Sequence, residues 1–192
     1  MLVDRSLRAT VRNFSTLFLL AATITLPLHV AHAYAFREVI EVAELHPAIE
    51  QFPARRKVRG VGLRQLAEAR LSYLWLNVVE LALLLVLVRP TARVLEVDRR
   101  HGVPTVWDAW TGRGSSPGVF SALRGTSVGP LLAGVALALV VGWLARAVGL
   151  LVVEPLPDRL AFAGVGVVEG LWRALAAPFF LGIAAAGAAK DT

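Results

Sequence analysis

PLLAGVALALVVGWLARAVGLLVV, residues 130–153, carries one charged side chain, Arg146, in 24 positions. At about 1.5 Å per helical residue, a run of that length covers the roughly 30 Å hydrocarbon core of a bilayer. Three further stretches read the same way: NFSTLFLLAATITLPLHVAHAYAF at 13–36, LSYLWLNVVELALLLVLV at 71–88 and LAFAGVGVVEGLWRALAAPFFLGIAAAGA at 160–188. The pattern predicts an all-α integral membrane bundle of four transmembrane helices with short interfacial helices, forming a single membrane domain over 1–192.

Composition points to the same class. Of 192 residues, 56% are hydrophobic and only 18% charged, and the mean hydropathy is +0.63. A soluble fold of this size would have more apolar surface than its core could hide. The net charge of +6 would suit nucleic acid, but the basic residues fall in loops beside the apolar spans. There, contact with anionic lipid and membrane orientation explain them, and no nucleic-acid partner is expected. The absence of cysteine excludes disulfides and thiolate metal sites. Richness in Ala, Leu, Val, Arg and Gly suggests a bacterial protein, with the cytoplasmic membrane as its address.

The first span admits a rival reading. Arg5, Arg8 and Arg12 form a basic flank, residues 14–26 an apolar core, Pro27 a breaker, and Ala31-His32-Ala33 a small-x-small pattern of the sort signal peptidase cuts. The apolar run continues through Val30 to Phe36, however, and three other segments need insertion rather than export. Retention of the first span is therefore expected.

The loops carry local signals. Residues 37–50 carry Glu38, Glu41, Glu44 and Glu50 at near-helical spacing with Val39, Val42 and Leu45 between, which predicts a short amphipathic helix ahead of the basic run Arg55, Arg56, Lys57 and Arg59. That run is read as the solvated flank of the second span, whose helix is expected to begin before the membrane, within 60–70. In the loop over 89–129, Pro104 and Thr105 can start a short helix bearing Trp107 and Trp110, placed at the membrane surface because indole prefers the interface. Residues 113–118 read as a turn, lacking the lysine of a phosphate-gripping loop. With four spans, ten basic loop residues lie on the side of the termini and eight opposite, which favours cytoplasmic termini by a small margin.

Several of these features resemble the bacterial glycerophosphoryl diester phosphodiesterase membrane-domain family. They are the basic amphipathic lead into a first span with a mid-helix proline (7–27), the Gly-x-Pro-Thr surface helix (102–110), the Ser-x-Leu-Arg stretch before Pro-Leu-Leu (121–132), and Ala177-Pro178-Phe179-Phe180 in the last span. The resemblance implies a membrane module without the family's catalytic domain, and it carries over no catalytic residue.

Polar residues inside the spans are the most informative, because an ionisable group at the bilayer centre costs about 2.5 to 3.5 kcal/mol on insertion scales. These are Glu80, Arg146, Glu169 and Arg173. Thr25, His29 and His32 share one face of the first span, and Tyr73, Asn77 and Glu80 one face of the second, so both faces should turn inward. Counting from the span centres puts His29, Asn77, Arg146 and Glu169 roughly 4 to 8 Å off the midplane on the same side, with Glu80 and Arg173 close to it. One polar layer is expected, with Glu169 and Arg173 paired along their helix and Glu80 and Arg146 paired across helices. Gly166, Gly170 and Ala174 form a small-residue stripe for close helix packing, and Pro178 is expected to bend the same helix.

The layer can be read as a structural staple or as a solute path, and the staple is preferred because four spans make a thin wall around a pathway. His29 and His32 have no matching ligand cluster on another span, so neither a metal nor a cofactor is expected. No nucleophile elbow, zinc-binding helix or catalytic carboxylate pair occurs. The sequence thus points to a non-enzymatic accessory or interaction protein, with a small transporter or permease-like component as the alternative. Membrane lipids and a protein partner, or a second copy, are the expected contacts.

Overall fold

Asn13 marks the first structural boundary. Its side-chain Nδ2 donates to the Ala9 carbonyl at 2.8 Å, occupying an acceptor at the end of α1 (Leu2–Arg12) just before α2 (Phe14–Ala35) begins. The structure is a computed structural model that describes residues 2–36, 63–100, 102–112, 128–153, 156 and 158–188. The elements that follow are α3 (Leu63–Val86), α4 (Val88–Arg99), α5 (Val106–Thr111), α6 (Val128–Val153) and α7 (Asp158–Ala188). The helix expected over 37–50, the basic run at 55–59 and the turn at 113–118 lie outside the described residues.

The chain is an all-α bundle, without strands among the described residues, and four of its helices are long and apolar enough to cross a membrane: Phe14–Ala35, Leu71–Arg99, Leu132–Val153 and Phe162–Ala185. Burial separates their roles. In the most apolar part of each, 61% of α7 is buried inside the bundle but only 6% of α6, so α7 is the central post and α6 an outer helix. Leu74, Trp75, Val78 and Leu81 of α3 and Leu139, Trp143, Leu144 and Leu151 of α6 point outward and exposed. An apolar surface of that extent suits hydrocarbon and not water.

Two seams hold α7. Along α2, the buried residues Leu17, Leu20, Ala21, Thr25, His29 and Ala33 recur at helical spacing and pack on the α7 side bearing Val165, Ala174, Ala177, Leu181 and Ala184. Along α6, a Cβ added to Gly142 would stand 2.7 Å from the Trp172 ring, and one added to Gly149 2.6 Å from Val168. Glycine at these two positions is what lets α6 lie close against α7. By contrast α3 is seated mainly on α2, and among the described residues no packed seam joins α3 to α6.

The stretch after residue 88 differs from its sequence reading as loop, since it begins as the 12-residue helix α4. At the junction Leu87 N–H bonds the Leu84 carbonyl at 3.0 Å, a tighter i−3 contact, and Pro90 supplies no N–H within the first turn of the new helix. The helix re-forms because Val88, Thr91, Val94 and Leu95 give it one buried face, which packs across the end of the bundle against α7. As expected, Thr105 caps α5, accepting from the Asp108 N–H at 3.1 Å, while Trp107 and Trp110 remain exposed.

Contacts among α1, α2, α4, α5 and the segment before α5 complete that end. Arg12 pairs with Asp98, Thr16 donates to the Pro104 carbonyl at 3.2 Å, and Arg93 donates to the Ala109 carbonyl at 3.0 Å. Thr10 of α1 packs against Gly182 near the end of α7. The start of α2 and the end of α7 therefore share one end of the bundle, as an even number of crossings requires.

Candidate functional site

Each membrane-length helix contributes to one ladder of polar side chains. On α7, Glu169 and Arg173 sit one turn apart and face each other, Arg173 Nη2 to Glu169 Oε2 at 3.6 Å. Glu169 Oε1 accepts from Arg146 Nε of α6 at 2.9 Å, and its Oε2 accepts from Trp172 Nε1 at 2.7 Å. On the other side, Arg173 Nη1 donates to Glu80 Oε2 of α3 at 2.7 Å, and Nη2 donates to the Tyr73 hydroxyl at 2.9 Å. His29 Nε2 of α2 lies 3.2 Å from the same Glu80 oxygen, to which it donates as the Nε2–H tautomer.

The order of ions is thus Arg146, Glu169, Arg173, Glu80, ending on His29. Two carboxylates alternate with two guanidiniums, so the ladder is neutral when His29 is neutral. Glu80, Glu169 and His29 are almost fully buried, at 2%, 1% and 2% exposure, which makes opposite-charge pairing necessary. The Arg173 guanidinium also stacks over Trp172, 4.6 Å from the ring centre.

The structure brings Arg146, Glu169, Arg173, Glu80 and His29 together, with cross-helix partners that differ from the expected ones. Glu80 and Arg146 do not pair: Arg146 binds Glu169, and Glu80 takes Arg173. The packing explains the exchange. Because α6 lies along α7 and shares no seam with α3, the carboxylate within reach of Arg146 is on α7. Its Nε is bound inward, so the guanidinium is an internal ligand of Glu169. His29 and His32 also diverge, His32 Nε2 lying 3.1 Å from Ser72 Oγ with its ring tilted against Tyr73. Asn77 turns back on its own helix, donating to the Tyr73 carbonyl at 2.7 Å.

Gly166, Gly170 and Ala174 face α2 inside the bundle. A Cβ on Gly166 would approach Ala33 Cβ to 2.7 Å, and one on Gly170 would approach the Leu26 Cα to 2.8 Å. The close approach lets Thr25 Oγ1 donate across the seam to the Gly170 carbonyl at 2.9 Å. Two participants escaped the sequence reading, Trp172 and Ser72. Trp172 lies three residues after Glu169, the helical spacing that could have suggested its indole as a donor. Ser72 had no such signal.

Where α3 and α6 fail to meet, an open cleft of ≈ 420 Å³ runs down to α7. Asn77, Glu80, Trp172 and Arg173 border it at one end, while Leu84, Val135, Ala177 and Phe180 contribute apolar wall. Beside this cleft two buried polar atoms have no hydrogen-bond partner among the described residues: Glu80 Oε1 and Arg173 Nε. Comparison with protein-family models, with curated proteins and with solved structures gives no match, so the family resemblance rests on the residues quoted for it alone.

Proposed function

We propose that the chain is a non-enzymatic accessory or interaction subunit of the bacterial cytoplasmic membrane, with cytoplasmic termini. The observation that carries this reading is the use of the intramembrane ions on one another. Arg146, Glu169, Arg173 and Glu80 each bind an opposite charge on a neighbouring turn or helix. Such pairing fixes the positions of helices and engages these four ions with one another inside the bundle. A bundle whose α3 and α6 have no seam between them also leaves room on one flank for a further component. The resemblance to a membrane module that accompanies a catalytic domain agrees with a supporting role.

Purification of the full chain in mild detergent, followed by intact-complex mass measurement, tests this. A stoichiometric protein partner, or a defined homo-oligomer, is the expected result. A monomer with no protein partner, even after cross-linking in the native membrane, overturns it.

A second reading, a small transporter, draws on the position of Glu80 beside the cleft. In that case Glu80→Gln would leave the protein folded and abolish pH-dependent flux in reconstituted vesicles. Equal flux in wild type, variant and empty vesicles rejects transport.

A further inference from the structure

Glu80 Oε2 holds donors from two other helices, Arg173 Nη1 at 2.7 Å and His29 Nε2 at 3.2 Å, and only the guanidinium is permanently charged. Histidine is the side chain whose charge ordinarily changes between about pH 5 and 8. Among the described residues, α3 brings Glu80 and Tyr73 to this end of the ladder, and α7 brings Arg173 with Glu169 behind it. On α2 itself His32 lies one turn away, turned to Ser72 with Tyr73 beside it. The contribution of α6 is Arg146, which reaches the group through Glu169. With His29 neutral the charges cancel. A proton added at its Nδ1 sets three cations against two carboxylates among almost fully buried groups, where unbalanced charge is expensive.

The geometry offers a way to shed that charge. Arg173 stands between the two carboxylates, its Nη1 2.7 Å from Glu80 and its Nη2 3.6 Å from Glu169, so a shift of less than about 1 Å brings Nη2 within hydrogen-bond distance of Glu169. Glu169 would then hold Arg173 and Trp172 Nε1, and could lose Arg146 without being left bare. Arg146 is the ion placed to leave. Its side chain is the most exposed of the four ions, at 20%, and it sits on the outer helix. Its bond to Glu169 is the one side-chain hydrogen bond that joins α6 to the rest of the bundle among the described residues.

We infer that the ladder is a proton-driven exchange of partners: on taking up a proton His29 claims Glu80, Arg173 passes to Glu169, and Arg146 is released. Two cations still face two carboxylates inside the bundle, since the charge that enters as a proton leaves as a guanidinium. The long stem of Arg146 lets its head run along α6 toward the interface. After the exchange α6 rests on α7 through apolar packing alone, so the seating of the outer helix depends on acidity. The exchange goes beyond the accessory reading and does not rest on it, because every group in it belongs to this chain.

The test measures the loss of thermal stability caused by Arg146→Leu in the full chain in detergent, at about pH 8 and at about pH 5, either side of the ordinary histidine range. The pair of measurements is repeated with His29→Gln, which keeps a donor for Glu80 but takes no proton. At the higher pH Arg146→Leu removes a bound ion and lowers the unfolding temperature. At the lower pH that loss should largely disappear, because Arg146 has already left Glu169, whereas with His29→Gln it should stay the same at both values. An equal loss at both values without His29→Gln overturns the exchange. A loss that shrinks just as much with His29→Gln puts the proton on a carboxylate and overturns the role of His29. Where a variant fails to fold, the wild-type chain labelled with ¹⁵N in histidine and arginine decides by magnetic resonance. The Arg146 Nε signal should change over the same pH range as the His29 ring. A His29 ring still neutral at about pH 5, or an Arg146 signal that does not follow it, overturns the proposal.

Discussion

Glu80 Oε2 accepts from two other helices at once, Arg173 of α7 and His29 of α2, and this shared oxygen ties α3 to the rest of the bundle. Glu80→Leu would strand Arg173 close to the midplane, with Tyr73 and the longer contact to Glu169 as its remaining partners. Breaking a buried pair from one side costs about 3 to 5 kcal/mol, and the retained contacts put the expected loss at the lower end, about 3 kcal/mol. Glu80→Gln keeps an acceptor of the same shape but removes the charge that balances Arg173, so it should cost less than Glu80→Leu yet more than a single intramembrane hydrogen bond, about 1 to 3 kcal/mol. Thermal unfolding in detergent orders the variants; an equal, large loss in both would show that the charge of Glu80 and not its hydrogen-bonding shape holds Arg173, and no loss in either would show that the position is no staple. Glu169 is the other node, holding Arg146, Trp172 and Arg173. Glu169→Leu should therefore destabilise more than Arg146→Leu, because the first leaves two guanidiniums short of a partner and the second leaves a carboxylate that still has two donors. The reverse order would contradict the ladder as drawn. That these residues share a layer was legible from helical spacing and depth alone. Which carboxylate meets which guanidinium was not, because spacing places a residue on a face but does not say which helix lies opposite.

At the scale of elements, the α2 to α7 seam depends on small residues where the backbones come closest. A Cβ at position 170 already meets the Leu26 Cα, a backbone atom that cannot rotate away. Gly170→Leu should push the two helices apart, break the Thr25 hydrogen bond to the Gly170 carbonyl and cost upwards of about 3 kcal/mol, at or beyond the usual range for overpacking. Unchanged thermal stability of that variant would place position 170 against lipid. The stripe on α7 was visible in the sequence because Gly166, Gly170 and Ala174 stand at regular spacing beside Glu169 and Arg173. The matching small residues of α6, Gly142 and Gly149, gave no such contrast, since nearly every other position on that helix is apolar too. The continuation of α3 into α4 was hidden for the opposite reason. Arg89, Arg93, Glu96, Asp98 and Arg99 read as a departure from the membrane, and the buried stripe of Val88, Thr91, Val94 and Leu95 among them was outweighed.

For the whole molecule, α2 is the principal partner of the central helix α7, supplying Leu17, Leu20, Ala21 and Ala22 to the core. Cleavage after Ala33 would remove that seam together with His29 and Thr25, so intact-mass measurement of the membrane-extracted protein is expected to find residues 1–33 retained, and a mature chain beginning at Tyr34 would undo the four-span bundle. Orientation has the narrowest margin of the properties read from charge, ten basic residues against eight. Packing gathers α1, α4, α5 and the end of α7 at one end, where Arg8, Arg12, Arg93, Arg99 and Arg100 stand together with Glu96 and Asp98, the ion-pair partners of Arg12, Arg99 and Arg100, beside the exposed Trp107 and Trp110. The positive-inside rule counts Lys and Arg and gives Asp and Glu little weight, so it favours this end on the cytoplasmic side. The chain has no cysteine, so a single introduced thiol reports without background. Val103, exposed at 88% just ahead of α5, provides the position. Val103→Cys should be protected from a membrane-impermeant maleimide in intact cells and react in inverted vesicles. Labelling in intact cells instead would put α1, α4 and α5 outside, and would mean that the basic end of this bundle is oriented by something other than its charge.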